Sequence, residues 1–321
     1  MKRIIAFAVL IVMALPSFGQ IPPRLNDESV LKKLRIKTIR TFYYDHEDTT
    51  KATKKHLWFQ QDYDATGNLV SRYQLSLWDD VVSYDHTTSF TYDGNNKLTQ
   101  KVVIQKILNL EERDDEFIKE FGDDPINEMF RYYYNDKNQL IKMESFTFGK
   151  DGLNETAKPD NTITYEYSKG LLIKEVGKTM GEIPSEYLAR YEYNSAKQKT
   201  LESKVYWSES YRTGTTTKWI YNDKGQLTEK VVEDSTIPVN NRQFKYEYNA
   251  EGKLIRELEL SPETNEWKTL LEYHYDKSGN EIWGDEQTTY KFYPNGLVKQ
   301  ELMKNKSSDE TVNFVTVYSF H

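Results

Sequence analysis

The stretch YEYNAEGKLIRE (246–257) contains the end of one strand, a tight turn and the start of the next. Side chains alternate along a strand, so Phe244, Tyr246 and Tyr248 share one face and Lys245 and Glu247 the other. Asn249 follows, a residue whose side chain caps a type I turn at its first position. Gly252 tolerates the left-handed backbone that closes a bulged hairpin, and Leu254 opens the return strand.

The same unit recurs along the chain. Its anchor tyrosines are Tyr63, Tyr92, Tyr134, Tyr167, Tyr193, Tyr221, Tyr248, Tyr275 and Tyr293. The spacings from Tyr167 to Tyr275 are 26, 28, 27 and 27 residues, a period that signals repeat architecture. The position expected to be left-handed holds Gly67, Asn96, Asn138, Gly170, Gly225, Gly252, Gly279 or Gly296, with Lys197 the exception. Antiparallel neighbours would bring aromatic rings together, each pair contributing about 0.2–1 kcal/mol. The expected picture has rings packing on a half-covered sheet while hydroxyls reach water.

Each unit supplies two strands, which predicts roughly 18–20 antiparallel strands in an all-β meander of hairpins that curls to cover its aromatic face. Residues 33–321 read as one domain, preceded by an extended leader over 20–32. One interval breaks the rhythm. From Tyr92 to Tyr134 the excess carries ILNLEERDDEFIKEFGDDP, where Leu110, Phe117, Ile118 and Phe121 recur at helical spacing. A short amphipathic helix is expected over about 106–125, covering part of the sheet.

The units YDATGNL (63–69), YNDKGQL (221–227), YNAEGKL (248–254) and YDKSGN (275–280) resemble the YD repeats of the Rhs family. The chain is also similar to short repeat proteins exported by Bacteroidetes, with Asn265-Glu266-Trp267 in a second loop. That resemblance implies a sheet wrapped as a spiral strip and contact with polysaccharide or a cell surface. Tyr293-Pro294-Asn295-Gly296-Leu297 is one residue shorter and resembles a MORN-type unit. Only Asp124-Pro125 echoes the processing signature of large Rhs proteins, so a stand-alone module is expected rather than a toxin shell.

Residues 1–19 have the pattern of a secretory signal peptide: Lys2 and Arg3, an apolar run from Ile4 to Leu15, and Ser17-Phe18-Gly19. The run is too short to span a bilayer as a helix. Export to the periplasm, the cell surface or the medium is expected, with no transmembrane span after cleavage. Without Lys2 and Arg3 the net charge is about −9, two below the −7 of the whole chain, which argues against a nucleic-acid partner. Cysteine is absent, so disulfides and thiolate metal sites are excluded.

Five histidines are scattered, and neither a metal-ligand spacing nor a phosphate loop is present. Carboxylates are abundant, but no pair stands out as a glycosidase couple. No cofactor, metal or catalytic residue is expected, and the chain reads as non-enzymatic. Trp58 and Trp219 sit at strand positions and read as core. Trp78, Trp207, Trp267 and Trp283 lie in or beside the second connections and are the candidate ligand-binding residues, because flat rings beside polar groups suit a sugar or extended polymer. The expected partner is a polysaccharide or a cell-surface protein; a structural scaffold and an envelope glycan hydrolase are the alternatives. An outer-membrane barrel is disfavoured on the reading that Leu227 shares a face with Glu229 and Leu254 with Arg256.

Overall fold

The computed structural model describes residues 33–44, 50, 55–78, 82–108, 127–154, 156–180, 184–275, 281–282, 288–293, 297–304 and 311–320. The signal peptide and leader expected over 1–32 lie outside them. The described chain is all-β, as the alternation predicted, with nineteen strands of five or more residues and a two-residue ladder. It starts with β1 (Ile36–Tyr44) and β2 (Lys55–Tyr63). The repeat then runs through β3 (Leu69–Trp78), β4 (Val82–Tyr92), β5 (Leu98–Leu108), β6 (Asn127–Tyr134) and β7 (Leu140–Phe148). It continues with β8 (Asn161–Ser168), β9 (Leu171–Thr179), β10 (Ser185–Tyr193), β11 (Lys199–Ser208) and β12 (Arg212–Tyr221). Next come β13 (Leu227–Asp234), β14 (Arg242–Tyr248), β15 (Leu254–Leu260) and β16 (Trp267–Glu272). The ladder β17 (His274–Tyr275) with β18 (Glu281–Ile282) precedes β19 (Thr288–Phe292), β20 (Val298–Lys304) and β21 (Thr311–Phe320).

Two compact units form. The larger, Trp58–Asp62 with Leu69–Gly284, holds the meander. From β3 to β16 every strand pairs antiparallel with its neighbours in sequence, as a chain of hairpins must. The smaller lies within Met1–Leu57, Tyr63–Asn68 and Asp285–His321. There β21 pairs with both β20 and β1, and β19 pairs with β20. Its apolar centre includes Ile36, Ile39, Tyr63 and Phe314, and the buried hydroxyls of Thr41 and Thr316 meet at 3.0 Å.

Five of the described turns use the same few atoms. Asn249 Oδ1 accepts from the backbone N–H of Glu251 at 3.0 Å and of Lys253 at 2.9 Å. The Asn249 N–H donates to the Lys253 carbonyl, and the Gly252 N–H to the Asn249 carbonyl, both at 2.9 Å. Asp64, Asp93, Asn135 and Asn222 repeat this pattern. Positive φ occurs at Gly67, Asn96, Asn138, Lys197, Gly225 and Gly252, as the turn chemistry required. The turn after Tyr167 is tighter. Lys169 and Gly170 both have positive φ, at 49° and 82°, and Ser168 faces Leu171 directly.

A bulge follows the turns after Tyr92, Tyr134, Tyr167, Tyr193, Tyr221 and Tyr248 and corrects one expectation about faces. Tyr221 pairs with Leu227 while Ile220 pairs with Glu229, so Thr228 is the extra residue and Leu227 and Glu229 lie on opposite faces. Leu254 and Arg256 are separated in the same way by Ile255. The bulge residues Ile141 and Ile173 are consequently exposed apolar groups. Strict alternation failed here because it ignores the inserted residue.

Charge nonetheless falls on both faces. Opposite the tyrosines, Lys174 pairs with Glu166 at 2.6 Å, Lys178 with Glu186 at 2.9 Å, Lys218 with Glu233 at 3.0 Å, and Arg256 with Glu247. Exposed pairs of this kind contribute only about 0–1 kcal/mol each. A strand face carrying them would be costly in lipid, at about 2–4 kcal/mol per mid-bilayer basic residue. No helix among the described residues is long and apolar enough to cross a membrane.

The helix expected over about 106–125 is displaced at its start. Residues 106–108 close β5, where Lys106 pairs with Asp85, Ile107 with Tyr84 and Leu108 with Ser83. Cross-strand pairing carries the strand through the first three residues of the expected helix. Residues 109–126 lie outside the described residues.

Candidate functional site: the tyrosine face

The anchor tyrosines do more than pack. Seven of them donate their hydroxyl to a backbone carbonyl in the preceding repeat: Tyr92 to Leu69 at 2.9 Å, Tyr134 to Leu98 at 2.9 Å, Tyr167 to Leu140 at 3.0 Å and Tyr193 to Leu172 at 2.8 Å. The series continues with Tyr221 to Lys199 at 2.9 Å, Tyr248 to Leu227 at 2.8 Å and Tyr275 to Leu254 at 2.6 Å. The acceptor is always two residues beyond the left-handed position. The expectation that these hydroxyls point to water is therefore overturned, because a carbonyl at the start of each return strand lies within reach. Tyr293, in the smaller unit, donates instead to Thr316 at 3.1 Å and sets its ring edge-on to Tyr318 at 5.9 Å. Gly279 and Gly296 lie outside the described residues.

A second row of bonds joins neighbouring turns. Gln198 Nε2 donates to the Gly225 carbonyl at 2.7 Å, and Gln226 Nε2 to the Gly252 carbonyl at 3.0 Å.

Inward of these anchors, β8 to β12 carry a cluster on the same face. Register places Tyr165 opposite Glu175, Tyr187 opposite both Gly177 and Tyr206, and Tyr191 opposite Glu202. Glu175 accepts from the Tyr187 hydroxyl on Oε1 and from the Tyr191 hydroxyl on Oε2, the latter at 3.2 Å. Tyr187 can lie so low because Gly177 has no side chain; a methyl group there would sit 2.0 Å from Cε1 of the ring. Tyr187 and Tyr206 have centroids 5.5 Å apart, and Lys204 Nζ lies 4.3 Å from the first and 5.1 Å from the second. Such cation–ring contacts contribute about 0.5–1 kcal/mol at exposed sites.

Farther along, Lys199 Nζ lies 4.2 Å from the Trp219 ring and 2.8 Å from Glu202. Burial, followed by the Glu175 charge, pushes the Tyr165 phenol up to about 12. Burial and the hydrogen bond to Glu175 push Tyr187 up further, and burial with the same carboxylate raises Tyr191. These phenols are therefore held neutral, and Tyr187 and Tyr191 serve as donors to Glu175.

The rings are only half-buried, and carboxylates and lysines stand among them. Trp219, read from sequence as core, belongs to this partly solvated strip. The sequence signal for the cluster was Gly177 within a strand, which marks close approach by a neighbour.

Trp207 and Trp267 do not come together. Trp78 ends β3 and pairs with Val82. Trp207 is half-buried near the end of β11, between Glu186 and Arg212. Trp267 opens β16 opposite Leu260, with Lys245 Nζ 4.3 Å from its ring. Five ladder steps separate β11 from β16, and Trp207 and Trp267 both face away from the tyrosines. Trp283 lies outside the described residues. Beside Leu260, an open cleft of about 360 Å³ is lined by Val239, Arg242, Glu259 and Lys268, with Arg242 Nε bonded to Glu259 at 2.8 Å. Among the described residues no group of three His, Asp or Glu is placed to hold a metal ion.

No family model matches the chain, and no curated protein matches it. Among solved structures the chain is similar to a porin-like protein from Bacteroides uniformis, with 10% identity, a TM-score of 0.34, and coverage of 89% of this chain and 97% of that one. A porin-like protein from Bacteroides vulgatus gives 8% identity and a TM-score of 0.25 over 73% and 95% of the two chains. TcdB2-TccC3-TEV gives 12% identity and a TM-score of 0.30 over 84% of this chain. The present chain spans 15% of the length of that last one.

Proposed function

We propose that the protein is an exported, non-catalytic β-repeat module of the YD type that binds an extended polysaccharide along its tyrosine face. One observation carries the reading: the strip Tyr165, Tyr187, Tyr191, Tyr206 and Trp219, interleaved with Glu175, Glu202 and Lys204, is half-buried rather than sealed as core. Flat rings stack on the apolar faces of sugars, while fixed carboxylates and ammonium groups take their hydroxyls. Across β8 to β12 the strip is about 19 Å wide at the usual strand spacing, enough for more than one sugar ring. Glu175 has both oxygens engaged by tyrosine hydroxyls, which suits a rigid acceptor better than a general acid or base. The signal-peptide pattern of residues 1–19 supports export, and the tyrosine–turn–glycine units support the YD reading.

The test is titration of the purified chain against a panel of envelope and host polysaccharides, followed by tryptophan fluorescence and calorimetry. A saturable response that Trp219→Ala and Tyr206→Ala weaken at least tenfold, and that Trp207→Ala with Trp267→Ala leaves unchanged, supports the face. Binding lost only in the Trp207/Trp267 pair returns the site to the loops. A folded protein that binds no polymer but co-purifies with a fixed partner is a scaffold.

A further inference from the structure

At its β3–β6 end the tyrosine face carries a second cluster, this one cationic. Arg72 on β3 faces Thr88 on β4, and Lys101 on β5 faces Phe90 on β4 and Phe130 on β6. The two cations therefore flank β4 on one side of the sheet, each against a ring. The Arg72 guanidinium carbon is 5.9 Å from the Phe59 centroid, and Lys101 Nζ is 4.6 Å from that of Phe130.

Arg72 Nε is buried without a hydrogen-bond partner, and no ion pair compensates the guanidinium among the described residues. Burial lowers the pKa of Lys101, and the Arg72 charge adds to this against an opposing pull from Glu128. A planar guanidinium with a spare, desolvated N–H is the donor best matched to a carboxylate or sulfate oxygen pair.

We propose that Arg72 and Lys101 form an oxyanion subsite, which on the polysaccharide reading above takes the carboxylate of a uronic acid or the sulfate of a sulfated sugar. Phe59 and Phe130 form its apolar walls, and Glu128 lies near enough to Lys101 to favour its charged form. The chain as a whole is acidic, so attraction of a polyanion must come from a local cationic site rather than from net charge.

Two measurements keep the subsite and the polymer reading apart. In the first, the full chain is titrated with polygalacturonate, dextran sulfate and neutral dextran at fixed ionic strength. At least one acidic polymer should bind ten times more tightly than dextran, and Arg72→Met should abolish that preference without weakening dextran binding. The choice between polygalacturonate and dextran sulfate identifies the carboxylate or the sulfate as the natural group. In the second, the melting temperature is compared in sodium sulfate and sodium chloride at matched ionic strength. Sulfate should stabilise the wild type more than Arg72→Met or Lys101→Met, both of which retain an apolar stem for packing. If sulfate stabilises in an Arg72-dependent way but no polymer binds, the subsite holds and the polysaccharide reading fails. If neither the preference nor the sulfate effect depends on Arg72, the subsite is wrong even where a neutral polymer binds.

Discussion

The hydroxyl of Tyr248 donates to the carbonyl oxygen of Leu227 at 2.8 Å, joining the end of one hairpin to the start of the return strand in the hairpin before it. The contact spans 21 residues of sequence, so it holds repeat to repeat rather than closing a turn. Removing the hydroxyl alone by Tyr248→Phe leaves the ring in place and the carbonyl short of a donor. The expected loss is about 1 kcal/mol, read as a lowered denaturant midpoint at unchanged slope. Tyr133→Phe, where an exposed ring bonds Glu144 through its hydroxyl, serves as the comparison and should cost less.

Lys197 occupies the left-handed position of its turn with φ 63°, where five sister turns have glycine or asparagine. A side chain pays a steric penalty there that glycine does not. Lys197→Gly should therefore stabilise the protein by roughly 1 kcal/mol, and Gly225→Ala should destabilise it by a similar amount. Thermal unfolding of the two variants, moving in opposite directions, checks the assignment of the turn.

Gly177 lies beneath the Tyr187 ring. Gly177→Ala should lift that ring from Glu175 and cost about 1–3 kcal/mol, the range of overpacked sites. The clash is specific, so adding Tyr187→Ala should make the glycine substitution nearly neutral. A double-mutant cycle with no coupling would show that the ring does not rest there.

Alkali should unfold the protein through these phenols. Tyrosine ionises near 10 when unfolded, whereas burial and the nearby Glu175 charge raise Tyr165 to about 12 in the fold. Below 10 both states are neutral and the contribution is complete; above it the unfolded state loses protons first, so stability falls as pH rises. The loss should be concentrated between 10 and about 12, visible as tyrosinate absorbance appearing together with loss of the sheet signal in circular dichroism. Tyr165→Phe should shift that transition to higher pH.

How far the sequence could be read depends on which atoms carry each feature. Turns were legible because their chemistry is local: Asn249, Gly252 and Leu254 act within six residues. Strand alternation on the tyrosine side was legible for the same reason. The hydroxyl staples were not, since their acceptor is a carbonyl, which every residue possesses and no motif marks. Bulged hairpins were expected, but the inserted residue was not carried into the return strands, so the true facing of Glu229 and Arg256 was missed. The cluster around Glu175 depends on register across four strands, which only the folded sheet supplies. Aromatic type alone pointed to the loop tryptophans, although Trp207 and Trp267 are held apart and turned to the other side.

Because the staple's acceptor is backbone, a tyrosine at the end of one hairpin fits whatever residue begins the return strand of the previous one; Lys199 serves Tyr221 as well as Leu227 serves Tyr248. Each unit thus brings a universal plug and offers a universal socket. A gene that gains or loses one unit by duplication or deletion leaves every remaining joint intact, so length in such a chain can drift freely while individual side chains specialise for what they hold.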